Sequence, residues 1–150
     1  MLTLALYQPD IPQNAGTMLR TCACLGVEAA IIGPAGFPTS DRHFRRSGMD
    51  YLEHVTLSRY ADWTAFEAER INSGRRLVLL TTRADTIYTA CEFRAGDILM
   101  VGRESAGVPD SVAAAADIRI RIPVRAGLRS LNVAVAAAMV LGEALRQTAE

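Results

Sequence analysis

The feature that most constrains this 150-residue chain is a set of short apolar runs separated by stretches with helical spacing. The runs are Leu2–Tyr7, Ala29–Ile32, Leu77–Leu80, Ile98–Val101 and Ile118–Ile122, with Val55–Leu57 as a weaker candidate. Nearly continuous apolar strands are those buried on both faces, as in parallel sheets covered by helices. Between the runs, residues 14–25 place Met18, Cys22 and Leu25 on one helical face. Residues 62–72 start with a capping aspartate, Asp62, and stop near Gly74. A shorter helix is expected from about Pro109, and a last one from Asn132 to about Thr148. Strands alternating with helices imply an α/β fold, an open, mostly parallel sheet with helices on both faces. With no repeat, linker or shift in composition, residues 1–150 read as a single domain.

Charge and composition exclude several functional classes. The 16 acidic residues balance the 16 basic ones, which argues against a bulk electrostatic grip on nucleic acid. Every basic residue is an arginine; compositional bias fits that usage, and so does a need for bidentate phosphate contacts. The longest apolar stretch, Val133–Leu141, is far shorter than a membrane span. The amino terminus begins directly as a strand, without the pattern of a signal peptide, so a cytoplasmic location and no membrane partner are expected. Cys22, Cys24 and Cys91 have neither disulfide nor zinc spacing, and His43 and His54 do not complete a metal site. No metal is expected, and the cysteines read as small core residues.

Three signatures carry chemistry. The first is Pro12-Gln13-Asn14-Ala15-Gly16-Thr17-Met18-Leu19-Arg20, where Asn14 can cap the helix, Gly16 can relieve crowding, and Arg20 lies four residues after Gly16 on the same face. The second, Gly102-Arg103-Glu104-Ser105-Ala106-Gly107, follows a buried strand. Its glycines have the outer spacing of a phosphate-binding loop, but Val108-Pro109 replaces the required Lys and Ser/Thr, and the chain has no lysine. No G-x-G-x-x-G follows a strand either, so the dinucleotide reading fails. What remains is a glycine-bounded turn where a ligand can approach the backbone. The third, Ser130-Leu131-Asn132, opens the last helix, with Ser130 or Asn132 as its cap. Taken singly, Leu80 and Ile122 fit a core role and Gly102 a turn; in ordered combination they favour a ligand slot at strand ends. A fourth stretch, Ser40 to Tyr51, holds Arg42, Arg45, Arg46 and two aromatics, Phe44 and Tyr51. This suits phosphate contact and base stacking, and equally an exposed loop with routine ion pairs.

In order, spacing and content the three signatures resemble those of the SPOUT superfamily of RNA methyltransferases, over residues 1 to about 147. The resemblance is nearest to the small branch that methylates the ribose 2′-hydroxyl at the tRNA wobble position. The Arg45-Arg46-Ser47-Gly48-Met49-Asp50-Tyr51 run is similar to that branch, with Met49 in place of its leucine. The resemblance implies a carboxy-terminal trefoil knot, which nothing in the residue pattern would give. It implies S-adenosylmethionine as cofactor, held at Leu80, Gly102, Ile122 and Ser130, and a homodimer using the first and last helices. Arg20 then faces the methyl-transfer site, either as an activator of the ribose hydroxyl or, since arginine stays protonated, as a phosphate clamp. Asn14, Arg42, Arg45 and Arg46 would contact RNA, the anticodon region of tRNA; Gly16, Glu104, Gly107, Leu131 and Asn132 fill the remaining motif positions. One departure stands out, because Gly142 precedes Glu143 where relatives commonly have tyrosine. The alternatives are the same chemistry on ribosomal RNA, or a non-catalytic RNA-binding protein with this fold.

Overall fold

A computed structural model describes residues 1–38, 40–48 and 51–149. Its strands are β1 (Thr3–Tyr7), β2 (Glu28–Ile32), β3 (Leu57–Tyr60), β4 (Leu77–Leu80), β5 (Thr86–Ile87), β6 (Ile98–Val101) and β7 (Ile118–Arg121). They form one seven-stranded sheet in the order β3-β2-β1-β6-β4-β7-β5, and every pairing is parallel. The helices are α1 (Pro12–Leu25), α2 (Arg42–Gly48), α3 (Trp63–Ser73), α4 (Asp110–Ala115) and α5 (Val133–Thr148).

Successive side chains of a strand point to opposite faces, and the apolar runs divide accordingly. Leu4, Leu6, Val78, Leu99 and Val101 pack with α1, α2 and α5 through Met18, Leu19, Phe44, Val140 and Leu141. Ala5, Leu77, Leu79, Ile98 and Met100 pack with α3 and α4 through Phe66 and Val112. Both faces are thus covered, which is why the strands read as continuous apolar runs.

At the amino ends of the central strands, arginines are consumed by structure. Arg76 clamps the buried Asp97 with Nη2 at 2.7 Å and Nε at 3.0 Å from its two oxygens. Arg75 donates to the Gly96 carbonyl at 2.8 Å and to the Thr3 hydroxyl at 2.7 Å. Arg70, almost fully buried, reaches Asp117 at 3.1 Å and also pairs with Glu67. Breaking such a pair would strand a charge in a poorly solvated place.

Several expectations are corrected. Helix α1 starts at Pro12, pre-set for a first helical position, so Asn14 lies inside the first turn and does not cap it. Leu25 is 43% exposed, because α1 ends at Gly26 in left-handed geometry beyond the buried stripe of Ala15, Met18, Leu19 and Cys22. The weak strand at Val55–Leu57 lies at Leu57–Tyr60 instead, since residues 52–54 form a 3₁₀ turn before it. The edge strand β5 is too short to show any period. Cys22 and Cys91 are core residues, and burial pushes the Cys22 thiol up to about 12, but Cys24 is exposed. Asp62 caps α3 as expected, and no helix is long and apolar enough to cross a membrane.

Gly142 sits inside α5, exposed, where an added Cβ meets nothing within 4 Å. Glycine there costs backbone entropy relative to alanine, so Gly142→Ala should stabilise the chain by about 0.5–1 kcal/mol. A thermal midpoint raised by about 1–4 °C is the expected result; a lowered midpoint contradicts it.

Candidate functional site

The strand order brings the carboxyl ends of β4, β6 and β7 side by side. Leu80 pairs with Val101 on one side and with Ile120 on the other. The usual position for ligands in open parallel sheets, outside the carboxyl ends where the winding direction reverses, is here between β1, β6 and β4. A cavity of about 520 Å³ opens there, within the size range of small-molecule sites. Leu79, Leu80, Val101, Val108, Ile122 and Val133 give it apolar walls. Asn14, Thr81, Glu104, Ser130 and Asn132 supply polar groups.

All four residues expected at a cofactor, Leu80, Gly102, Ile122 and Ser130, line this one cavity, as do Gly107 and Leu131. Between the glycines the chain folds back on itself. Arg103 N–H donates to the Gly107 carbonyl at 3.0 Å and Gly107 N–H to the Arg103 carbonyl at 2.8 Å. A Cβ on Gly102 would lie 2.7 Å from the Gly107 carbonyl carbon, an impossible contact with backbone. The need for glycine at 102 is therefore set first by the loop's own closure, before any ligand arrives. Gly107 has φ of 63°, a left-handed conformation that costs side-chain-bearing residues about 1–2 kcal/mol.

Asp10, which the sequence does not single out, ties this loop to the end of β1. Its carboxylate accepts from Glu104 N–H at 3.2 Å and from the Ser105 hydroxyl, and lies 3.6 Å from Arg103. Its own N–H donates to the Glu104 carboxyl at 3.4 Å. Glu104 in turn accepts from Asn14 Nδ2 at 3.5 Å, and Asn14 Oδ1 accepts from Asn132 Nδ2 at 3.1 Å. Asn132, not Ser130, caps α5, accepting from the N–H groups of Ala134 at 2.9 Å and Val135 at 3.3 Å. One chain of side-chain hydrogen bonds thus joins the three signatures around the rim. Ile11, Val108, Val124 and Val133 also line the cavity without a local signal, since only tertiary folding brings them there.

Hydrogen bonding with Glu104, helped by Ser105 and Arg103 against the effect of burial, holds the Asp10 carboxyl down to about 2. Burial, and next the hydrogen bond to Asp10, pushes Glu104 above its ordinary 4.5. The Asp10 contribution is present above its ordinary 3.8 and lost as pH falls through about 2. The Glu104 contribution is present below 4.5 and lost as pH rises through its raised value.

Arg20 does not reach this cavity. It lines a separate, open concavity with Thr17, Thr21, Leu25 and Arg46. Its guanidinium carbon stands 4.5 Å from the Tyr51 ring centre, and Nη2 donates to the Tyr51 hydroxyl at 3.4 Å. Gly16 is buried in α1. Arg42, Arg45 and Arg46 project from α2, so the stretch is a short helix and not a loop. Asp41 accepts from His43 and Phe44 N–H at its start, at 2.8 and 3.2 Å. Among the described residues none of these three arginines joins a salt bridge. Phe44 is buried at 1% exposure against Phe37 and is not available to stack on a base. Met49 and Asp50 lie outside the described residues. Among the described residues no cluster of potential metal ligands is found.

Glu104→Gln imitates the protonated carboxyl. Its thermal midpoint relative to the unaltered chain should therefore rise as pH increases from 4.5 towards 8. A pH-independent difference between the two melting curves contradicts the raised carboxyl.

Comparison with known proteins agrees with this geometry. The model of the SpoU rRNA Methylase family matches residues 1–142. A Beijerinckia indica protein named tRNA (cytidine(34)-2′-O)-methyltransferase is 72% identical, covering 96% of this chain and 90% of that one. The Escherichia coli K12 protein of the same name is 41% identical, covering 98% and 94%. A solved structure described as giving insights into the 2-OH methylation of C/U34 on tRNA superposes with TM-score 0.92 at 41% identity, over 98% of this chain and 95% of that one. An AdoMet-bound rRNA methyltransferase from Sinorhizobium meliloti superposes with TM-score 0.90 at 25% identity, over 99% of this chain and 57% of that one. With its parallel sheet, its cavity at the strand ends and a family match over nearly its whole length, this chain belongs to the SpoU rRNA Methylase family.

Proposed function

We propose that this chain is an S-adenosylmethionine-dependent methyltransferase that modifies the ribose 2′-hydroxyl of the wobble nucleotide 34, cytidine or uridine, in tRNA. The observation that carries this reading is the convergence of all three signatures on one cavity, in a chain 41–72% identical to proteins named for that activity. The lining fits the cofactor. Leu80, Val101 and Ile122 offer apolar walls to the adenine ring, and Ser130, Asn132 and backbone groups at the strand ends offer hydrogen bonds to its polar edges. The chemistry supplied by the bound cofactor is a sulfonium methyl group, already electrophilic enough for direct attack by oxygen. Leu80, Gly102, Ile122 and Ser130 are the residues assigned to hold it. The knotted carboxy-terminal segment of the family belongs to the same reading; the return of residues 122–132 to the cavity that the Gly102–Gly107 loop also lines supports it.

The protein's own task is to align the ribose hydroxyl and stabilise the negative charge it develops. Arg20 is assigned that role, as a clamp on the adjoining phosphate. Because Arg20 lies outside the cavity of its own chain, the complete site uses two copies in a homodimer, with Arg20 of one facing the cavity of the other. Exposed apolar residues on α5 and just before it support such an interface, with Leu131, Val135 and Met139 between 39% and 51% exposed. Arg42, Arg45 and Arg46 give the dimer a local basic surface for an RNA arm, where affinity falls with added salt. Asn14 has both amide groups engaged within the rim, so any RNA contact there replaces one of those bonds. A single domain working in the cytoplasm, where tRNA is modified, completes the proposal.

The test is incubation with labelled S-adenosylmethionine and, in parallel, bulk tRNA or ribosomal RNA from cells lacking the protein, followed by nucleoside mapping. Label in 2′-O-methylated nucleotide 34 is expected; label only in ribosomal RNA, or cofactor binding without transfer, contradicts the reading. Arg20→Lys retains charge but loses the planar fork. It should lower transfer more than tenfold, consistent with the loss of one oriented hydrogen bond to a charged group, about 1.5–3 kcal/mol, with cofactor affinity nearly unchanged. Full activity in Arg20→Lys would remove Arg20 from the site.

A further inference from the structure

Arg20 sits on a solvent-exposed face of α1. Arg70, Arg76 and Arg146 are each matched to carboxylates. Arg20 is matched to an aromatic ring, that of Tyr51, at 4.5 Å from the ring centre, with the phenol oxygen accepting from Nη2 at 3.4 Å. Among the described residues no carboxylate forms a salt bridge with it. The difference is chemical. A carboxylate would orient the guanidinium and cancel its charge at the same time. A ring face attracts the cation through its quadrupole and leaves the charge and most N–H donors available. It also restricts a side chain whose rotamer freedom is otherwise large.

Tyr51 is itself held in place. Its carbonyl accepts from His54 N–H at 2.9 Å in the 3₁₀ turn, and Leu52 and Val55 of the same segment pack against the core beneath α1 and α2. The ring is therefore tied to the body of the domain. Arg46 and Ser47 share the concavity with Arg20, so a phosphate entering there meets a second cation and hydroxyl groups.

We propose that Tyr51 is a positioning residue. It holds the Arg20 guanidinium in one plane with its charge uncompensated, ready to clamp the phosphate beside the target ribose. This rests on the reading of Arg20 given above. Tyr51 does not touch the reacting atoms; it acts through Arg20 alone.

The experiment measures kcat and KM for tRNA, and cofactor affinity, in Tyr51→Phe, Tyr51→Leu, Arg20→Ala and the double variant Arg20→Ala/Tyr51→Leu. Tyr51→Leu should lower kcat by about three- to tenfold, the range expected for an exposed cation–π contact plus one weak hydrogen bond, with cofactor affinity unchanged. Tyr51→Phe, which retains the ring, should recover most of that loss. In the Arg20→Ala background, Tyr51→Leu should cost nothing further, because there is no guanidinium left to orient. Multiplicative losses in the double variant, or a Tyr51→Leu enzyme as active as the unaltered one while Arg20→Ala is strongly impaired, would overturn the positioning role alone. An Arg20→Ala enzyme with full activity would overturn the reading of Arg20 itself. Tyr51→Met is measured beside Tyr51→Leu; if both fail to fold, the ring is a packing element and the proposal falls.

Discussion

Three strand ends held in register govern the rest of this structure. β6 lies between β1 and β4, and β7 lies on the other side of β4, so Val101, Leu80 and Ile120 finish next to one another. The segments that leave these strands have no choice but to converge on one space. The second signature must then turn within a few residues, and it does so by closing Gly102 against Gly107 at a distance that excludes any Cβ. The third returns after β7 to meet the first through Asn132 and Asn14. The cavity's walls and rim are thus a consequence of strand order, with the hydrogen-bonded chain from Asp10 to Asn132 fixing the final positions.

Arginine serves two purposes in this structure. At the amino ends of the central strands, Arg70, Arg75 and Arg76 are absorbed by Asp117, Thr3, Asp97 and backbone carbonyls, and contribute to stability. Towards α1 and α2, Arg20, Arg42, Arg45 and Arg46 are exposed, and Arg20 leans on a ring. This division reconciles zero net charge with an RNA substrate. In the proposed function, attraction for phosphate comes from a small set of uncompensated cations, while the balanced total limits nonspecific binding.

The strands and most helices were legible because burial on both faces imposes apolar runs, and because Asp62, Gly74 and Pro109 mark helix ends. Four cavity residues, Leu80, Gly102, Ile122 and Ser130, were found through motif order. Four kinds of information were missing. Edge strands β3 and β5 bury too little to impose a period. Asp10 meets Glu104 across 94 positions, a contact no local window contains. The apolar character of Phe44 and Tyr51 did not separate a core anchor from a partner for Arg20; only packing distinguishes them. Nor did helical spacing place Arg20 with respect to the cavity, because the two belong to different parts of one chain and, in the proposed dimer, meet between chains.

That cross-chain site is the central claim, and a mixed dimer tests it most directly. One chain carries Arg20→Ala, the other Gly102→Val; the two are co-expressed with different tags, and the heterodimer is purified. Each variant alone should keep only a small residual activity, the first lacking the clamp and the second the closed Gly102–Gly107 loop. In the heterodimer one site combines an intact cavity with an intact Arg20 from the other chain, so about half the unaltered activity should return. A heterodimer no more active than its parents would place Arg20 and the cavity in the same chain and contradict the account.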